Sequence, residues 1–182
     1  MIRSTGFVIA NMVTGFLSGM YLPHVFGIRG AILGGTLAGG VLACDACRKK
    51  KGELPVTVVL AVAVIVSLVA FLLIRVWDAV LLSDKTFAIV PQITWHSALT
   101  CFLISLGVLF YYKTGSLLVF FWISLLSVIP RAIALEPGMR SGELPMGVLV
   151  ISIFCGVAGL LPFLLLWLCA AWLCGLSPQK NR

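Results

Sequence analysis

The sequence predicts an all-α, polytopic integral membrane protein of about six transmembrane helices, on three observations. Of its 182 residues, 61% are hydrophobic and only 10% are charged, whereas a soluble domain carries about a quarter charged residues. A mean hydropathy of +1.15 leaves too few polar side chains to cover a water-facing surface, so lipid must surround most of the chain. The apolar residues also fall into runs long enough to cross the hydrocarbon. A crossing takes about 20 residues of α-helix with every backbone polar group paired inside the segment.

Six runs qualify. The first, Phe7 to Leu22, follows Arg3, a pattern shared with secretory signal peptides. It is expected to remain as a helix, because a second span follows after only a few residues. The second, Phe26 to Ala43, is short and rich in glycine; a re-entrant hairpin formed with the first is the alternative to two full spans. The third, Pro55 to Trp77, starts on a proline, whose fixed φ suits a first helical turn. The fourth, Phe87 to Tyr112, carries Trp95 and His96 near its start. The fifth, Leu117 to Leu135, contains Pro130, which bends a helix and releases a carbonyl. The sixth, Pro145 to Leu176, is the longest. Residues 1–182 are expected to form a single transmembrane domain.

Orientation follows from Lys and Arg in the short loops. If Arg48, Lys49, Lys50 and Lys51 face the cytoplasm, six spans put Arg3, Lys113, Lys180 and Arg182 there too, eight of the 13 basic residues. The other side holds Arg29, Arg75, Lys85, Arg131 and Arg140 together with four of the six acids. Both termini are therefore expected in the cytoplasm, in a bacterial inner membrane. The formal charge of +7 is accounted for as an orientation signal, and no basic patch interleaved with aromatics points to nucleic acid.

The tetrapeptide Gly52-Glu53-Leu54-Pro55 recurs as Gly142-Glu143-Leu144-Pro145, half a chain later and again directly before an apolar run. Two explanations stand. The chain is two three-helix halves, 1–91 and 92–182, related by inverted topology, an arrangement that places a transport site between the halves in many carriers. Alternatively, an acid and a proline simply make a good helix start.

The second segment carries Gly27, Gly30, Gly34, Gly35, Gly39 and Gly40. Small residues four apart let helix backbones approach closely, so Gly30, Gly34, Gly35 and Gly39 are read as a glycine-zipper face for helix packing or for a partner. Ala10, Gly15, Ser18 and Gly19 continue the theme on the first helix. Other membrane proteins, or a second copy, are expected to dock through helices one and two.

Catalytic patterns are largely missing. Cys44-Asp45-Ala46-Cys47 has the Cys-x-x-Cys spacing of a redox dithiol or half a metal site, with membrane-boundary packing as the plainer reading. The two histidines fit no metal-ligand pattern, and no Gly-x-Ser-x-Gly nucleophile elbow occurs. No cofactor, metal or catalytic residue is assigned, and an intramembrane thiol-redox or hydrolytic enzyme ranks third among the functions considered.

Ionisable residues near the membrane point more directly to function, because desolvating them is costly unless they pair or face water. Arg131, His96, Arg29, Arg75 and Trp95 gather on the outer side and are assigned as a binding site for an anionic solute or headgroup. The plainer reading is snorkelling to lipid phosphate with local pairs such as Arg75 with Asp78. In length and in having both termini inside, the chain is similar to the small six-helix substrate-binding subunits of energy-coupling vitamin importers, where small residues on the first helix dock the coupling subunit. Ala10 and Thr14 stand at a similar spacing. The likeness is one of architecture, without a diagnostic motif, and the same architecture suits small exporters and accessory subunits. Three functions follow: a transport protein or substrate-binding subunit for a small anionic solute, an accessory, immunity or exclusion protein acting through partners, and the enzyme.

Overall fold

The protein is described from a computed structural model that covers residues 2–19, 27–81, 94–127, 140–142, 165–176 and the single positions 129, 133, 147, 150 and 154. It is all-helical, with no strand among the described residues. The helices are α1 (Ile2–Gly19), α2 (Ile28–Lys51), α3 (Val56–Leu81), α4 (Thr94–Thr114), α5 (Leu117–Leu125) and α6 (165–173). Three of them are long and apolar enough to span a membrane: Ile28–Lys51 with 24 residues, Val56–Val80 with 25 and Ser97–Thr114 with 18. At about 1.5 Å per residue, the first two exceed the roughly 30 Å of a hydrocarbon core.

The side-chain distribution is that of a lipid-solvated helix. Along α3, the inner face presents Val59, Ala63, Val66, Ala70 and Ile74, all buried, while Ile65, Leu68 and Val76 on the outer face are 59%, 56% and 62% exposed. A helix in water would carry polar residues on that outer face. Here both faces are apolar, and the inner one is distinguished by tighter burial.

α2 is the central helix, packed against α1, α3 and α4. Leu33, Leu37, Ala38, Val41 and Cys44 form its buried face, and its glycines let neighbours come close. A Cβ on Gly34 would run into the backbone carbonyl of Asn11, and one on Gly15 into that of Gly30, so α1 and α2 touch backbone to backbone. On the α3 side, a Cβ on Gly40 would lie 2.7 Å from Val66 Cγ2. Gly39 is different: it is exposed, and a side chain there would meet nothing within 4 Å.

The apolar run of the second segment ends near Ala43, yet α2 continues for two more turns to Lys51. Nothing between Cys44 and Lys51 breaks a helix, and cations in a last turn suit the negative end of its dipole. Gly52 ends it in the left-handed region with φ 76°, its N–H donating to the Arg48 carbonyl at 2.8 Å, the closure that favours glycine. Leu54 is then buried, and the Pro55 carbonyl accepts from Val58 and Val59 N–H at 3.1 and 3.2 Å to start α3. Gly142, which opens the second Gly-Glu-Leu-Pro, takes φ 77°. Glu143, Leu144 and Pro145 lie outside the described residues.

Candidate functional site at the basic end

The extra turns of α2 build a charged cluster at the bundle's basic end. Asp45 is 6% exposed and both its oxygens are engaged. Oδ1 accepts from the Tyr112 hydroxyl of α4 at 2.6 Å and from Arg48 Nη2 at 3.0 Å, and Oδ2 pairs with Lys49 Nζ at 2.7 Å. The sequence fixes this locally, since residues three and four apart share a helix face and Arg48 and Lys49 follow Asp45 at those spacings. The Arg48 guanidinium also lies over the Tyr112 ring, 5.1 Å from its centroid, within range of cation–π attraction. On α4, Lys113 Nζ donates to the Leu54 carbonyl at 2.5 Å, tying the α2–α3 turn to the same end.

A cavity of about 350 Å³ opens beside this cluster. α1 contributes Arg3 and Ser4, α2 contributes Leu42, Asp45, Arg48 and Lys49, and the end of α6 contributes Cys174, Gly175 and Leu176. Among the described residues three cations line it against one carboxylate, and that carboxylate is already occupied in holding two of them side by side. The surplus positive charge, at a membrane boundary where screening is incomplete, suits an anion. Guanidinium and ammonium groups so placed can both donate to phosphate or carboxylate oxygens.

A second cavity, of about 450 Å³, has a different lining: Tyr111, Trp167, Leu168, Ala171, Trp172, Gly175 and Leu176. Tyr111 and Trp167 meet edge to face, with centroids 5.6 Å apart at 82°. Trp167 is 1% exposed, and its buried indole N–H has no acceptor among the described residues.

At the opposite end Arg29 of α2 reaches Asp78 of α3, with Nε and Nη2 at 2.9 and 2.8 Å from Oδ1. Asp78, which the plainer reading pairs with Arg75 on its own helix, is held by Arg29 from the neighbouring helix. Arg75 is half-buried on α3. Arg131 lies outside the described residues, as do the side chains of Trp95 and His96, so of the five residues assigned from the sequence only Arg29 and Arg75 can be located by their side chains. Cys44 is sealed in the core while Cys47 is half-buried. No group of three or more metal-ligating side chains occurs among the described residues.

The sequence does not single out the Asp45 cluster, where Asp45 stands only as a spacer within Cys44-Asp45-Ala46-Cys47. The available signal was a lone acid at the end of an apolar run with cations three and four residues on. Comparison with protein-family models, with curated proteins and with solved structures gave no match.

Proposed function

We propose that the chain is a small transport protein of the bacterial cytoplasmic membrane, six helices with both termini in the cytoplasm, that takes an anionic solute at its basic end. The observation that carries this reading is the cavity between α1, α2 and α6, where Arg3, Arg48 and Lys49 face one engaged carboxylate. Six spans are supported by alternation: α1 starts, α2 ends, α3 starts and α4 ends beside this cluster, and the end of α6 borders its cavity. The concentration of Lys and Arg there supports a cytoplasmic orientation. The matching left-handed Gly52 and Gly142 agree with two inverted halves, although a helix end alone also asks for such a glycine. A carrier must be reachable from both sides, and Arg29, Arg75, Trp95, His96 and Arg131 are the residues we assign to the outer access.

The test is thermal stabilisation of the purified protein by a panel of anions: inorganic phosphate, monocarboxylates and dicarboxylates. At least one is expected to raise the melting temperature in a saturable manner, and Arg3→Gln with Lys49→Gln to abolish the rise. No stabilisation by any member, or an equal rise in the double variant, would overturn the reading.

One observation favours a second reading, in which the chain works through a membrane partner. Because α1 covers Gly30 and Gly34, the exposed small residues of α2 left for another helix are Gly39, Ala43 and Ala46, spaced to allow close approach. In that case Gly39→Leu should leave the folded yield intact and abolish co-purification of a partner.

A further inference from the structure

The cationic cavity and the apolar cavity have a common wall, Gly175 and Leu176. These residues close α6: Gly175 N–H donates to the Trp172 carbonyl at 3.0 Å and Leu176 N–H to that of Ala171 at 2.9 Å. Gly175 takes φ 69° to do so, the closing turn in which glycine is preferred. The wall is therefore thin. It has no side chain at Gly175, and one placed there would meet nothing within 4 Å.

On one side of it stand Arg3, Arg48 and Lys49, and on the other Tyr111, Trp167 and Trp172. Trp172 and the adjacent Leu173 are 80% and 74% exposed, which makes that face of α6 a lipid-facing one. Tryptophan is the residue that settles at the level of headgroups. A soluble anion would use only the first volume. An amphiphile with an anionic head and an apolar chain uses both.

We propose that the two cavities are one site for an anionic phospholipid, with the phosphate among Arg3, Arg48 and Lys49 and the start of an acyl chain against Tyr111, Trp167 and Trp172. The inference rests on reading the cationic cavity as an anion site, and it names the class of anion. The glycerol ester carbonyls enter beside Trp167, whose buried N–H has no acceptor among the described residues. Asp45 acts as the positioning residue: it holds Arg48 and Lys49 at the cavity, so a ligand finds the two cations already in place.

The experiment uses the full chain in a non-ionic detergent and follows tryptophan quenching by phosphatidylglycerol brominated on its acyl chains. The same chains on phosphatidylcholine serve as the zwitterionic control, and sn-glycerol 3-phosphate, read by thermal stabilisation, is the soluble arm. Phosphatidylglycerol is expected to half-saturate at a concentration about tenfold lower than phosphatidylcholine, the effect of one charge-assisted contact. Arg3→Gln with Lys49→Gln should bring the two lipids level. Ala171→Leu, which fills the apolar cavity, should weaken phosphatidylglycerol and leave glycerol phosphate alone; if it does not fold, Trp172→Ala removes an exposed wall of the same cavity. Equal quenching by both lipids in the wild type would overturn the proposal. Glycerol phosphate stabilising as well as phosphatidylglycerol, with Ala171→Leu or Trp172→Ala neutral, would overturn it while leaving a soluble-anion site. Failure of both anions would remove both readings.

Discussion

Replacing Gly34 by alanine puts a methyl group into the backbone of α1. The added carbon would overlap the carbonyl carbon and oxygen of Asn11, and Gly15 Cα lies 3.4 Å from the same point. Because the obstacle is main chain, no rotamer change relieves it, and α1 must move off α2 and loosen Phe7, Asn11 and Thr14, all buried at this contact. Overpacking a well-filled contact costs about 1–3 kcal/mol, and a backbone clash belongs at the upper end. Alanine is also a better helix former than glycine by about 1 kcal/mol, leaving a net loss of roughly 1–2 kcal/mol. At roughly 2–4 °C per kcal/mol for a chain of this size, Gly34→Ala should melt several degrees below wild type. Gly39→Ala is the control, since its methyl enters open space, and it should melt no lower than wild type. The assay heats purified protein in mild detergent and measures the monodisperse fraction by size exclusion. Gly15→Ala should resemble Gly34→Ala, and the double variant should cost less than the sum, because one displacement of α1 relieves both clashes. A wild-type melt for Gly34→Ala, or an equal fall for Gly39→Ala, would refute the backbone contact.

Tyr112→Phe removes a hydrogen bond to a buried carboxylate and should cost about 1.5–3 kcal/mol; in a double-mutant cycle with Asp45→Asn the two losses should overlap, and strict additivity would contradict the contact. At the other end, Arg29→Ala strands Asp78, whose side chain is 10% exposed, so Arg29→Ala should lower the melting temperature more than Arg29→Ala combined with Asp78→Ala; the reverse order would break the assigned pair. A variant retaining only Cys47, which is half-buried, should react with an impermeant maleimide only after the cytoplasmic membrane is opened, and labelling of intact cells would reverse the orientation.

Much of the class and the helix order can be read from the sequence, because apolar length is a property of single segments. Where structure and sequence part, the cause is physical. Hydropathy places the end of the second span near Ala43, while the helix ends at Gly52, because a backbone breaker stops a helix and a loss of apolarity does not. Gly30 and Gly34 are a turn apart and share the α1 contact, but Gly39 is five residues past Gly34, a rotation of about 140° that turns it away. Arg75 is the nearer candidate for Asp78 along the chain, yet the register of α2 against α3 delivers Arg29, and such register is not a local property. Asp45 is not conspicuous in the sequence for the same reason: its importance depends on Tyr112, far along the chain, arriving at 2.6 Å.

The most direct measurement concerns Cys174, which lines the cationic cavity and is half-buried, compared with Cys169, exposed on the same helix and outside that lining. Two variants, each retaining one of these cysteines, are modified with a maleimide in detergent with and without an anionic ligand, either inorganic phosphate or phosphatidylglycerol. If the anion sits among Arg3, Arg48 and Lys49, modification of Cys174 slows in a saturable way and that of Cys169 does not change. Unaltered rates at both positions, or equal slowing at both, would contradict an anion site at the basic end.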